Sequence, residues 1–331
     1  EFRRVLFRSI SLLIHNKDWP NWTHKMSVAQ VQEPVAKLHM PRPGHADFAG
    51  MVKYRTDDLR NILERSSARE TTMRVAAGTV ARRLLDEFGV RIYGHVVRIG
   101  AAATQFSATT LTRQTPQDEI VKFFERVETS PVACADAAAE ERMMRLIDEG
   151  KEKGDSLGGL FEVVATGLPV GLGSHEHWDR KLDAHIAYAM MSINAMKSVE
   201  IGLGRGVSEV FGSQVHDEIF YDQSKGFNRA RNHAGGLEGG MTNGEPVVVR
   251  VAMKPLPTMP TPLRSVDVNT KQAKEAHYER ADVCAVPAAV VVGEAMLSLV
   301  LANALVDKIG GDSVDEMQTR FEGLPHAPLE W

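Results

Sequence analysis

Cysteine is nearly absent from this sequence of 331 residues, which contains only Cys134 and Cys284. Two distant cysteines without a paired Cys motif exclude a disulfide framework and a thiolate zinc site, and they fit a reducing cytoplasm. Basic charge is not in excess, because 39 Lys and Arg residues stand against 43 Asp and Glu residues, for a net charge of -4. The sequence therefore argues against a nucleic-acid partner or an anionic-membrane binder.

Several motifs of ligand-binding proteins are also missing. The chain has no G-x-x-x-x-G-K-[ST] loop, and the glycines in residues 199–204 do not follow the G-x-G-x-x-G spacing of a dinucleotide site. His175, His177 and His185 lack an H-E-x-x-H pattern and a Cys partner, so we predict no metal site. No repeat of 20–50 residues and no Pro/Ser-rich linker divides the chain.

One apolar run, residues 285–306, is long enough to cross a bilayer. Pro287, Gly293 and Glu294 interrupt it, and no basic flank marks a cytoplasmic side. We therefore predict a buried core helix and no membrane association.

Glycine is concentrated in one stretch, with five glycines in residues 235–244 directly before an apolar segment, residues 246–253, that is typical of a buried strand. Such a loop either holds main-chain N–H groups against a ligand or forms a series of tight turns at the surface. The other motifs of the chain favour the ligand.

Two of these motifs lie in the first quarter of the chain. Residues 42–47 (R-P-G-H-A-D) present His45 on a stiff loop, where Asp47 is placed to orient its ring, although a lone histidine is more often structural. Ser67 and Glu70 have the spacing of a capping box at a helix start, and Arg65 beside it favours a bound phosphate. An ordinary capped helix is the simpler alternative for that start.

Two further motifs follow the predicted strand. Residues 254–258 (K-P-L-P-T) form a stiff turn with one cation and one hydroxyl. Arg280 and Asp282 alternate along an extended segment; they are an exposed charge pair or, beside a buried ligand, Asp282 acts as a base.

Hydrophobic patterning predicts a chain that contains both strands and helices. Strands are expected at residues 10–16, 90–100, 156–166 and 247–253, and helices at 67–88, 118–126, 140–149, 182–193, 285–306 and 312–321.

In their order along the chain, these pieces resemble the chorismate synthase family, in a form like that of actinobacteria. The resemblance extends from about residue 10 to residue 313. The matching segments are residues 42–47, 65–71, 171–179, 194–195, 199–202, 234–245, 253–255 and 280–289.

The resemblance implies a carbon–oxygen lyase that converts 5-enolpyruvylshikimate 3-phosphate to chorismate and phosphate by 1,4-elimination, in the shikimate pathway of aromatic amino-acid biosynthesis. It also implies reduced FMN as cofactor, a homotetramer in the cytoplasm, and an α+β fold with helices sandwiched between antiparallel sheets.

By the same resemblance, His45 corresponds to a histidine that protonates or stabilises the reduced flavin, and Asp282 to a base near it. The positions that correspond to flavin-binding residues are Arg65, Ser66, Ser67, Asn194, Ala195, Gly239, Lys254, Pro255, Leu256, Pro257, Thr258 and Arg280.

The chain departs from the family pattern at its beginning. It lacks the family's first strands, a Gly-Glu-Ser-His-Gly motif and an arginine-rich stretch that grips the substrate phosphate. We expect a non-native leader in residues 1–9, a single catalytic domain in 10–313 and a C-terminal helix and tail in 314–331. We also expect weak activity at best.

Two other functions compete with the lyase. One is a catalytically impaired fragment that binds FMN or phosphate, which the missing motifs favour. The other is a flavin oxidoreductase using NADPH, for which the sequence offers no nicotinamide-binding motif.

Overall fold

The computed structural model describes residues 10–29, 35–223 and 226–324. Its strands, numbered in chain order, are β1 (Arg91–Ile99), β2 (Ala102–Ala103), β3 (Gly159–Thr166), β4 (Met196–Ile201), β5 (Ile219–Asp222), β6 (Gly226–Arg229), β7 (Leu237–Glu238), β8 (Met241–Thr242), β9 (Val247–Met253), β10 (Arg264–Val266) and β11 (Ala273–Glu275). Its α-helices are α1 (Asp47–Tyr54), α2 (Arg60–Arg65), α3 (Thr71–Asp86), α4 (Gln117–Glu128), α5 (Ala137–Lys153), α6 (Leu182–Met191), α7 (Gly212–Val215), α8 (Val286–Ile309) and α9 (Val314–Glu322).

Five strands form the central antiparallel sheet, in the order β2-β1-β3-β9-β4. The remaining strands in the described part of the chain form three separate pairs: β5 with β6, β7 with β8, and β10 with β11. The α+β class with antiparallel sheets is thus confirmed.

Strand β3 shows why both faces of the central sheet are covered. Phe161, Val163 and Ala165 belong to a large core cluster that includes α8, whereas Val164 belongs to a second cluster that includes α4. Successive side chains of a strand point to opposite faces, so this alternation places α8 on one face and α4 on the other.

Helix α8 occupies the interior of the protein. Its 24 residues are long and apolar enough to cross a membrane, yet Leu297, Leu301 and Leu305 are fully buried against the sheet and neighbouring helices. Helices α3 and α6 pack against it. The prediction of a buried core helix is confirmed.

Most predicted elements are confirmed within a few residues, as β1, β3, β9, α3, α4, α5, α6 and α9 show. The strand predicted at residues 10–16 is wrong, because this segment is exposed and has no neighbouring strand among the described residues with which to form hydrogen bonds.

The capping box predicted at Ser67 is wrong in its second half. The Ser67 hydroxyl accepts a hydrogen bond from the backbone N–H of Arg69 in a short 3-10 turn, so Ser67 does cap the chain there. Glu70 forms an ion pair with Arg74 at 2.8 Å, one helical turn along α3. The carboxylate is drawn to this cation rather than back to Ser67.

Candidate active site

Several of the predicted site segments meet at one edge of the central sheet, where β9 ends and β4 begins. The backbone N–H of Lys254, directly after β9, donates to the carbonyl of Ala195 over 3.0 Å. Ala195 has a φ of 70°, a left-handed conformation uncommon for alanine, which turns the chain from α6 into β4. Residues 194–195 and 254–258 are therefore held side by side.

Asn194 connects this edge to the predicted helix-start motif. Its amide Nδ2 donates to the carbonyl of Ser66 over 3.2 Å, while its Oδ1 is buried without a hydrogen-bond partner among the described atoms. The hydroxyl of Ser66 donates to the carbonyl of Ile62. Because buried polar atoms are almost always paired, the Oδ1 atom of Asn194 is an acceptor available to a ligand.

A cluster of charged groups lies on the loop before α1. Arg42 donates from Nε and from its backbone N–H to Oδ2 of Asp47, at 2.9 and 3.0 Å, and both residues are buried. Asp47 also accepts from Nδ1 of His45 in a short contact. Arg42 donates from Nη1 to the hydroxyl of Thr258 over 3.0 Å, which joins this loop to the turn after β9.

Asp47 is ionised in this cluster. Burial alone would raise the pKa of its carboxyl, but hydrogen bonds from His45 and Arg42, with the charge of Arg42, outweigh burial and hold the pKa well below its usual range. A permanent carboxylate thus lies beside the His45 ring.

Lys254 brings a cation to the same place. Its ammonium nitrogen lies 3.9 Å from the position that a Cβ on Gly44 would take, next to His45. Burial and the nearby charge of Lys197 lower the pKa of Lys254. The described residues place no carboxylate within ion-pair distance of Lys254. A half-buried cation without a partner is a binding group for an anion.

Arg280 and Asp282 lie in an irregular, exposed segment that approaches this edge. On one side of them, Glu279 pairs with Arg60 of α2 at 3.3 Å. On the other side, the carbonyl of Val283 accepts from Leu157 at the start of β3. Neither Arg280 nor Asp282 has a partner of its own in the described part of the chain, so both side chains are available to a ligand.

An open cavity of about 510 Å³ lies beside the turn after β9. Ser156, Leu157, Met253 and Pro255 line it, and the Ser156 hydroxyl supports the turn by donating to the carbonyl of Leu256 over 2.7 Å. Its volume is in the range of small-molecule sites, about 300–1,000 Å³.

The glycine-rich loop is organised differently from the prediction. Asp217 accepts hydrogen bonds from the N–H groups of His233 and Ala234, and the side chain of Asn232 accepts from Gly236. These N–H groups are therefore used within the protein, and the expectation that they are held against a ligand is wrong for all three. The local sequence gives no sign of Asp217, which lies 16 and 17 positions before the donors.

Gly239 is the exposed glycine of that loop. It has a φ of 59°, and a Cβ added to it would lie 4.0 Å from the Cβ of His175, near the start of α6. Asn194 and Ala195 follow the other end of α6, a helix of ten residues and therefore about 15 Å long. The structure does not bring Gly239 to the other predicted residues within one chain.

Arg42 is the site residue that sequence reasoning missed. Its signal was the Asp five positions later, but nothing local shows that Arg42 reaches Thr258, 216 positions away. Across the described residues, no three His, Cys, Asp or Glu side chains form a group that would hold a metal ion.

Comparison with known proteins gives one consistent result. The sequence model of chorismate synthase matches residues 5–306. Chorismate synthase of Aquifex aeolicus is 51% identical over 322 residues, which cover 97% of this chain and 81% of the relative. That of Bacillus subtilis is 48% identical over 327 residues, covering 97% and 82%. A crystal structure of a chorismate synthase superimposes with a TM-score of 0.71 and 47% identity, covering 84% of this chain and 75% of the other.

An α+β core with a cluster of charged side chains, and with a cavity of small-molecule size at the turn after β9, is typical of an enzyme that acts on a small molecule. The chain belongs to the chorismate synthase family. The reaction of that family is a lyase reaction of the shikimate pathway, the 1,4-elimination of phosphate from 5-enolpyruvylshikimate 3-phosphate, and the family implies a reduced flavin cofactor. The identity over nearly the whole chain favours this function over an impaired fragment or a flavin oxidoreductase.

Proposed function

We propose that the elimination takes place at the sheet edge formed by residues 42–47, 66–67, 194–195, 254–258 and 280–282. The observation that carries the proposal is the hydrogen-bonded connection from Ser66 through Asn194 and Ala195 to Lys254. It connects, through two hydrogen bonds, residues up to 188 positions apart, all of which correspond to flavin-binding positions by the family resemblance.

The groups present fit reduced FMN in three respects. Lys254 offers a cation to an anionic oxygen, and the unpaired Oδ1 of Asn194 offers an acceptor to an N–H donor of the ligand. Thr258 accepts from Arg42 through its oxygen, which leaves its own hydrogen for a ligand oxygen. The proposed binding surface is completed by Arg65, Ser66, Ser67, Pro255, Leu256, Pro257 and Arg280.

In this proposal, reduced FMN supplies an electron-rich ring that helps the carbon–oxygen bond to phosphate break. His45 holds a proton at the cofactor side, and Asp282 accepts the proton that leaves the substrate carbon. One C–O bond and one C–H bond break. The electrons of the C–H bond form a new double bond, the double bond between the two carbons shifts towards the C–O carbon, and phosphate leaves with the electrons of the C–O bond. Lys254 and Arg280 stabilise negative charge, which is strongest where water is excluded.

We further propose a homotetramer in the cytoplasm. Gly239 lies a helix length from the other flavin-binding positions, so it would reach a flavin only from a neighbouring copy. Both cysteines are at least half-buried, and burial raises the pKa of each thiol, which fits proteins kept reduced.

Anaerobic titration with chemically reduced FMN tests the site, followed by turnover of 5-enolpyruvylshikimate 3-phosphate. We expect Lys254→Met to weaken FMN binding about 10- to 100-fold, as expected for losing one charge-assisted contact. Lys197→Met is the matched control, since Lys197 is exposed at the same edge, and its change should stay within about threefold.

Equal losses of FMN affinity in the two lysine variants would contradict the proposed site.

Turnover is compared with that of the Aquifex aeolicus relative, and this ratio measures the weak activity expected from the sequence. His45→Gln and Asp282→Asn should bind FMN nearly normally and lose turnover; if they retain turnover, the roles given to these two side chains are wrong.

A further inference from the structure

Arg42 and Asp47 form a buried unit around His45 that the proposed mechanism does not use. Asp47 is 1% exposed and Arg42 is 7% exposed, whereas the side chain of His45 keeps 18% of its surface open. The histidine is thus the member of the cluster that reaches the ligand side, and the other two lie behind it.

The contact with Asp47 specifies which ring nitrogen of His45 carries the proton. Ionised Asp47 only accepts hydrogen bonds, so the Nδ1 atom that contacts it must carry a hydrogen. Arg42 only donates, and its Nη2 lies 3.1 Å from Nδ1 and 3.3 Å from Nε2 of His45, so this contact does not distinguish the two ring nitrogens. The tautomer follows from the contact with Asp47 alone.

We propose that Asp47 and Arg42 are positioning residues for His45. Asp47 fixes the Nδ1–H tautomer, so that Nε2 is the nitrogen that exchanges a proton. Arg42 holds Asp47 in place and connects the pair to Thr258 in the turn after β9. This inference rests on the proposed role of His45 in the elimination.

The connection to Thr258 gives the unit a second consequence. Arg42 uses Nε and its backbone N–H on Asp47 and Nη1 on Thr258, so one guanidinium group spans both segments. Lys254 and Asp47 are the other charged groups that face His45. A change at Thr258 should therefore be detected at the histidine ring.

Nitrogen-15 NMR of histidine-labelled protein tests the tautomer without any need for turnover. The signals of His45 are assigned by their loss in His45→Gln and recorded at a pH where the ring is neutral. We expect Nδ1–H in the unmodified protein and a shift towards Nε2–H in Asp47→Ala. His95, which contacts Glu162 at 3.0 Å in a separate cluster, is the internal control for folding.

A double-mutant cycle tests the connection to catalysis. Asp47→Ala should lower kcat about 10- to 100-fold with little change in FMN affinity, and the loss should vanish when His45→Gln is already present. If the alanine variant does not fold, Asp47→Asn keeps its shape and is measured in the same cycle. Additive losses, or an unchanged tautomer in Asp47→Ala, would overturn the inference.

The two proposals fail in different ways. Suppose that His45→Gln retains full turnover and that the unmodified protein shows the Nδ1–H signal of His45. The role of His45 in the elimination would then be wrong, whereas the geometry of the unit would be right. Thr258→Val should change the chemical shifts of His45 and weaken FMN binding. Thr258→Ser keeps the hydroxyl, so its His45 shifts and its FMN affinity should match those of the unmodified protein. Unmoved signals in Thr258→Val would disprove the connection through Arg42.

Discussion

At the scale of single residues, Glu162 shows how one carboxylate organises a sheet face. It is fully buried on β3 and lies in a row across four strands, between His95 on β1 and Arg250 on β9, with Glu200 on β4 beyond. Burial alone would raise the pKa of Glu162, but the hydrogen bond and charge of His95, and the charge of Arg250, lower it to about 2. The carboxylate therefore stabilises the folded state only while it is ionised.

The pH dependence of stability follows from that shift. Because the folded pKa of about 2 lies below the ordinary 4.5, this contribution is complete above pH 4.5 and is lost as the pH falls towards 2. Glu162→Gln should lower the free energy of unfolding by about 3 kcal/mol at neutral pH, and the difference from the unmodified protein should shrink in acid.

Urea unfolding at several pH values measures both effects. Glu200→Gln is the matched control, since Glu200 lies 3.7 Å from the same arginine but keeps 28% of its side chain exposed. It should cost less than about 1 kcal/mol. A loss for Glu162→Gln that is constant with pH would show that the charge is unimportant.

At the scale of elements, the close packing of α3 on α8 depends on Gly78. A Cβ added there would lie 2.5 Å from the Cβ of Ala295 and 2.8 Å from its carbonyl oxygen. Alanine favours a helix by about 1 kcal/mol over glycine, but forcing two packed helices apart costs about 1–3 kcal/mol. We expect Gly78→Ala to destabilise the protein despite its better helix propensity.

Thermal or urea unfolding of Gly78→Ala tests this packing. Thr79→Ala, at the next and exposed position of α3, should stay within about 0.5 kcal/mol of the unmodified protein. If Gly78→Ala stabilises the protein, α3 and α8 are packed less closely than the 2.5 Å distance at Ala295 indicates.

Local pattern predicted the elements better than it predicted their partners. The apolar run gave α8, because this signal lies within the element itself. The strand expected at residues 10–16 needed a hydrogen-bonding partner that no local pattern supplies. The prediction for the N–H groups of His233 and Ala234 was wrong because their acceptor, Asp217, is distant in sequence.

At the scale of the whole molecule, the order of the site motifs predicted the α+β fold and the family. It did not predict how the segments meet, such as Arg42 with Thr258 or Asn194 with Ser66, since these contacts depend on long-range folding. The location of Gly239 apart from the other positions proposed to bind flavin was likewise visible only in the folded chain. The proposed role of Gly239 therefore depends on how the chain assembles, which an experiment can test.

The hairpin of β5 and β6 is the surface best suited to that test. Ile219 and Tyr221 lie on one face of it and are 64% and 62% exposed, which is unusual for large apolar side chains on an isolated two-stranded ribbon. We expect light scattering to give four times the 36.5 kDa of one chain, and Ile219→Ser with Tyr221→Ser to give a smaller species. Val80→Ala, at an exposed apolar position of α3, should leave the mass unchanged. A monomeric unmodified protein would contradict the homotetramer. If the double variant in the hairpin still has the mass of four chains, burial of these two side chains contributes nothing to assembly, and the interface lies elsewhere.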